Sequence, residues 1–132
     1  MIVISPVNPM QDLCVARVRA IFRLPTGLAH LSAHPLIYVE WYTPLQSYAD
    51  HLGMFTISPS THNHTRRASI IPITDVVHIC HLIPIWGRRM DPVLTQANAL
   101  ERCTRFYVNP YICHSDFVLL RYCLDRWKKH AI

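Results

Sequence analysis

The pattern of apolar and polar positions changes period once along the chain. Up to residue 86 the apolar residues alternate or run in short blocks, as strands require; beyond Gly87 they recur every three or four residues, as helices require. The junction holds the most continuously apolar block, residues 70–86 (IIPITDVVHICHLIPIW). A proline removes a ladder donor and fixes φ, so Pro72 and Pro84 argue against one long strand. The block reads as two short strands, 68–71 and 76–82, with Thr74 and Asp75 turning between them. In the second, Val76, His78, Cys80 and Leu82 face one way and Val77, Ile79 and His81 the other, which predicts a strand covered on both sides.

Upstream, residues 14–24 alternate clearly. Ala16, Val18, Ala20 and Phe22 share one face, and Arg17, Arg19, Ile21 and Arg23 share the other, until Pro25 and Gly27 end the strand. After a loop with His30 and His34, residues 36–42 set Ile37, Val39 and Trp41 against Tyr38, Glu40 and Tyr42, a composition suited to a half-buried pleated surface. Residues 53–57 form a further short strand, and 58–67 a polar loop. Ala16, Val18, Phe22, Ile37, Val39 and Trp41 are expected in one core. Five short strands within about 70 residues suggest a small antiparallel barrel of SH3-like or BAH-like size.

Beyond Gly87, Asp91-Pro92 is an N-cap and N1 pair, and Leu94, Ala97, Leu100, Cys103 and Tyr107 mark an amphipathic helix of about 15 residues. Asn109-Pro110 stops it. Ser115 caps a second helix whose buried face is Phe117, Leu120, Leu124 and Trp127, with Arg126, Lys128, Lys129 and His130 in the last turn. The expectation is therefore an α+β chain: a loose lead at 1–13, a β-barrel-like domain at 14–86, and a two-helix tail at 87–132 packed on the barrel.

Composition narrows the class. An apolar fraction of 51% over 132 residues excludes a disordered tail. No stretch approaches the roughly 18 consecutive apolar residues of a membrane helix. MIVI is too short for a signal-peptide core, and the five cysteines are odd in number without paired spacing; both point to thiols in an intracellular, reducing compartment rather than secretion. Thirteen basic against eight acidic residues gives a net charge of +5, a weak pointer to an anionic partner.

The blocks VRAIFRLP, PLIYVEWYTPL, GMFTIS and ASIIPITDVVHICHLIPIWG, followed by a helix leading to FYVNPYICHSDFVLLRY, stand in an order that resembles the C-terminal segment of fungal Plavaka and related Kyakuja–Dileera–Zisupton (KDZ) transposon-encoded proteins of mushroom-forming fungi. The resemblance covers residues 14–121. It implies mobile-DNA ancestry and a nuclear address, and it implies that the chain is a tail detached from a longer transposase-like protein: a truncated element, a host open reading frame derived from one, or a gene-model fragment. No position here matches a transposase catalytic motif, so it transfers no catalytic residue.

The residues themselves offer no enzyme. A metal-dependent nuclease needs converging carboxylates, about 3.5–4 Å between two ions; Asp12, Asp75, Asp91, Asp116, Glu101 and Asp125 occupy lead, turn, helix-start and helix-surface settings, and Glu40 stands alone on its strand. His62, His64, His78 and Cys80 carry metal-ligand chemistry but lack knuckle spacing, so neither a metal nor a cofactor is expected. Cys80 and His81 point to opposite faces, which makes them a poor nucleophile pair. Arg66-Arg67-Ala68-Ser69 has a kinase-site look and Asn63-His64-Thr65 is a formal sequon, both short enough for chance. The positive signal is basic: Arg17, Arg19 and Arg23 along one strand face, and Arg66, Arg67, Arg88 and Arg89 in loops, form a phosphate-contacting set, with Tyr38, Trp41 and Tyr42 available for stacking. The function read from this is a non-enzymatic interaction module contacting nucleic acid or another protein chain, with no small-molecule substrate and no membrane. The rival readings are a detached tail of an enzyme and a relic without a selected role.

Overall fold

The computed structural model describes residues 1–6, 13–45, 47–87, 89 and 91–130. They form two compact units that interleave along the sequence: Met1–Pro44 with Ser60–Cys80, and Leu45–Pro59 with His81–Ile132. These boundaries differ from the division at residues 13 and 86 expected from the hydrophobic pattern. The barrel-plus-two-helices expectation is corrected: the strands make three antiparallel sheets, none of them closed, and among the described residues only one α-helix is longer than a single turn.

The first unit is built on β1 (Ile2–Pro6), β2 (Leu13–Phe22), β3 (Leu36–Trp41), β8 (Ala68–Pro72) and β9 (His78–Ile79), in the spatial order β8-β3-β2-β1-β9. β1 falls within the expected loose lead, yet it is an interior strand, because Ile2, Val3 and Ile4 are the apolar run that pairs with residues 15–17 of β2. Residues 7–12 lie outside the described set. Val3, Cys14, Ala16, Ile37, Val39, Trp41 and Ile71 form the core, with Val18, Ile73 and Val76 against it. Ser5 is fully buried on the same face as Cys14, and its hydroxyl donates to the Asp75 carbonyl at 2.9 Å, which satisfies it.

Phe22 is missing from that core, and the reason is a β-bulge. Val18 pairs with Val39 but Ala20 pairs with Tyr38, so Arg19 is an extra residue with no opposite number. Past the bulge the parity inverts. Ile21 now stands opposite core residue Ile37, while Ala20 and Phe22 move to the other face.

A two-stranded hairpin, β6 (Thr61–His62) with β7 (Thr65–Arg66), precedes β8. Its turn is Asn63-His64, with φ of 50° and 66°, the left-handed pair that a tight hairpin needs. The sequon is thus explained as turn chemistry.

The second unit holds β4 (Ser47–Ala49), β5 (Met54–Ile57), β10 (His81–Pro84) and β11 (Phe106–Asn109) in the order β10-β11-β5-β4. The single strand expected at 76–82 is split at Cys80 between the two sheets. Its alternation survives: Val76 and His78 are half-buried and Cys80 and Leu82 buried, while Val77, Ile79 and His81 are exposed, so it is covered on one side rather than both. The first expected helix is also corrected. Only α1 (Ala99–Arg102) is helical, and Phe106–Asn109 is a strand with Phe106 and Val108 fully buried between β10 and β5. Pairing on both sides outweighed the local three-and-four spacing, which β-branched and aromatic residues serve poorly. α2 (His114–His130) buries Leu120 and Leu124 and brings Trp127 edge-on to Phe55, with ring centroids 6.5 Å apart. It begins one residue before Ser115, which lies in the first turn, while Phe117 on the expected buried face is exposed. Among the described residues no helix is long and apolar enough to cross a membrane.

Candidate nucleic-acid interface

The face of the five-stranded sheet opposite its core is sorted into rows by strand register. One row is Arg17, Glu40 and Ala68; the next is Ala20, Tyr38 and Ile70; the last is Phe22, Leu36 and Pro72. Tyr38 is 40% and Ile70 58% exposed, so an aromatic ring and an aliphatic side chain stand open to solvent side by side. Arg19 leans from the bulge onto Glu40, Nε to Oε1 at 3.4 Å, and both side chains remain partly accessible. Arg17, in Glu40's own row, is half-buried. The result is an open aromatic-aliphatic patch with two guanidinium groups and one carboxylate along its border.

The far end of this face is closed. Tyr42 is 2% exposed, and its backbone N–H donates to the Val15 carbonyl at 3.0 Å. The Arg66 guanidinium lies 5.2 Å from the Tyr42 ring centroid and donates to the Trp41 carbonyl at 2.8 Å. Burial pushes the Tyr42 phenol above its ordinary pKa, against the pull of Arg66 and Arg17, which favour the phenolate.

The expected basic set is therefore distributed rather than assembled. Arg17 and Arg19 border the patch. Arg23 is exposed but lies past the end of β2, and the bulge takes it out of the alternation that would have aligned it with them. Arg66 is committed to Trp41 and Tyr42, and Arg67 is exposed just before β8. Arg89 is exposed in the second unit, and Arg88 lies outside the described residues. Of the expected stacking residues, Tyr38 is open while Trp41 and Tyr42 are buried. Ile70 was not singled out by sequence reasoning, because its exposure depends on β8 being an edge strand.

The four expected metal candidates, His62, His64, His78 and Cys80, are not brought together with one another: the β6–β7 hairpin with His62 and His64 adjoins the β8 side of the sheet, whereas His78 is on β9 at the opposite edge. None of the five cysteines is joined in a disulfide. Two of the carboxylates serve locally. Asp91 accepts from the Val93 N–H at 2.9 Å and from Arg102 Nε at 2.7 Å, and these bonds hold its pKa below the usual range. Asp125 faces Arg121 one turn earlier on α2 at 4.0 Å. Ser69 of the kinase-like stretch accepts from Trp41 Nε1 at 3.0 Å, a structural use of the hydroxyl. The second unit has a concavity of about 340 Å³ lined by Tyr48, Phe55, Tyr111, Phe117, Leu120 and Arg121. Burial and the neighbouring Tyr111 raise the pKa of Tyr48 there.

The chain matches no known protein family, no curated protein and no solved structure.

Proposed function

We propose that this chain is a non-enzymatic interaction module of transposon ancestry, and that its open sheet face binds single-stranded nucleic acid. The observation that carries the binding is Tyr38: an exposed ring on a β-sheet, with Ile70 beside it and Arg17 and Arg19 at its border. Such a surface suits an unpaired base, which stacks on an aromatic ring, and a backbone that arginines follow. A duplex keeps its base faces hidden and makes no use of Tyr38. The ancestry rests on the order of sequence blocks and gives such a module its context, whether it acts alone or as the tail of a separately supplied transposase-like enzyme.

Fluorescence anisotropy with a labelled oligothymidylate tests the reading. Tyr38→Ala removes a stacking platform worth about 1–3 kcal/mol and should raise Kd roughly 5- to 150-fold. Arg17→Gln with Arg19→Gln should flatten the slope of log K against log salt by about 1.4, since each single-strand phosphate contact contributes about 0.7. Binding unchanged by Tyr38→Ala would remove nucleic acid from the reading. The competing protein-binding reading has its own support in the free edge of β8.

A further inference from the structure

We infer that the chain self-associates through β8, two copies pairing their edge strands antiparallel so that the five-stranded sheet continues from one molecule into the next. Among the described strands at sheet edges, β8 at five residues is the longest; β9 has two, β4 three and β10 four. The hydrogen bonds on its inner side determine which groups remain on its outer side. The Trp41 N–H donates to the Arg67 carbonyl at 2.9 Å just before β8, and the Ile73 N–H donates to the Pro35 carbonyl at 3.0 Å just after it. Bonding residues alternate along an antiparallel strand, so Arg67, Ser69, Ile71 and Ile73 bond inward to β3. The N–H and C=O of Ala68 and Ile70 therefore point away from the sheet, together with the C=O of Pro72. All three residues are exposed.

This outward set is complementary to itself. A two-fold axis through Ser69 places Ala68 of one copy opposite Ile70 of the other. Each such pair exchanges two N–H···O=C bonds, and all four outward N–H groups of the two β8 strands find acceptors. The side chains also fit, a small Ala68 against a large Ile70, and both lie on the outer face, Ile70 in line with Ala20 and Tyr38 and Ala68 in line with Arg17 and Glu40. Each Ile70 gains an apolar neighbour on its open flank. Natural sheets guard their edges with charge, proline or bulges. Here Arg67 and Pro72 guard the two ends, and Ala68–Ile71 between them carries none of these devices. An edge contact of this length buries little area, so the dimer is a weak one. The pairing uses the backbone edge of β8, whereas the proposed nucleic-acid binding uses the sheet face; Ile70 belongs to both.

The test uses the full chain under reducing conditions, which exclude disulfide-linked dimers. Sedimentation velocity from about 10 μM to about 1 mM, a range suited to a contact of this size, should show a mass rising from 15.3 kDa toward twice that value. Amide exchange over the same range should show the Ala68 and Ile70 N–H groups becoming protected only at high concentration. The Ser69 and Ile71 amides should be protected throughout, being bonded to β3. Ile70→Pro removes an outward N–H that the β3 ladder does not use, a position where an edge strand accepts proline, and should weaken association at least tenfold. A monomer across the whole range overturns the inference. So does a dimer in which the Ala68 and Ile70 amides exchange as in the monomer, or one that a folded Ile70→Pro variant forms equally well. If that variant fails to fold, the amide pattern of the unsubstituted chain decides.

Discussion

Trp41 shows how one side chain can bind two strands by unlike means. Its ring is 4% exposed within the core, and its Nε1–H reaches Ser69 Oγ on β8. Truncation to Ala should cost about 3–5 kcal/mol through the cavity it leaves, measured as a shift in the urea midpoint. Trp41→Phe keeps a ring and loses the hydrogen bond, and should cost less. Gly53 is constrained in a different way. It adopts φ of +67°, and an added Cβ would collide with the Tyr111 hydroxyl, which donates to the Leu52 carbonyl at 3.0 Å. Gly53→Ala should therefore destabilise by more than the roughly 1 kcal/mol of its backbone strain, and Tyr111→Phe in the same chain should recover the collision part, as thermal melts would show. Tyr42 carries a pH signature. Its folded pKa lies above the ordinary 10.0, so its contribution to stability is fully present below that value and is lost as pH rises through the folded pKa. Unfolding midpoints should fall in the alkaline range, and Tyr42→Phe should remove that component of the decline.

At the scale of elements, the bulge in β2 is the decisive local event. Deleting Arg19 should leave a regular ladder, Val18 opposite Val39 and Ala20 opposite Tyr38, and lose the exposed pair with Glu40, itself worth up to about 1 kcal/mol. Deleting Ala16 instead exchanges the faces of everything before it in the strand, and should abolish cooperative melting. The strands of residues 13–22, 36–41, 54–57 and 68–72 were legible from alternation and turn residues. In residues 13–22 burial was legible only up to the bulge, because one inserted residue inverts every later position of that strand without leaving a mark in the composition. The expected helix ending at Tyr107 failed for a related reason. Phe106 to Asn109 satisfies a three-and-four spacing and a two-residue alternation about equally, and flanking strands distant in sequence chose between them.

For the whole molecule, topology sets the expected kinetics. The five-stranded sheet is completed by pairing Val3 with Ile79, nearly the full length of the first unit's chain segments apart. Such non-local pairing requires loop closure before contacts reward it, so refolding in stopped-flow should proceed in milliseconds to seconds rather than microseconds. Charge acts at the same scale. The net +5 favours anionic partners at long range, but its arginines are spread over both units, and Arg66 is occupied internally. Under the proposed function, affinity for single-stranded nucleic acid should thus depend on salt as two border arginines would make it, not as a stripe of three.

What the sequence by itself determined is local: where several strands start and stop, and which end of the chain carries the long helix. These follow from backbone sterics and side-chain period, which act over a few residues. Only the tertiary structure decided which strands are neighbours and which strand is the edge. It placed Ile2–Pro6 inside the sheet, committed Arg66 to Tyr42, opened Tyr38 and Ile70 to solvent, and turned the Ala68 and Ile70 amides outward. Each of these depends on contacts between residues far apart in sequence, and no local pattern encodes them.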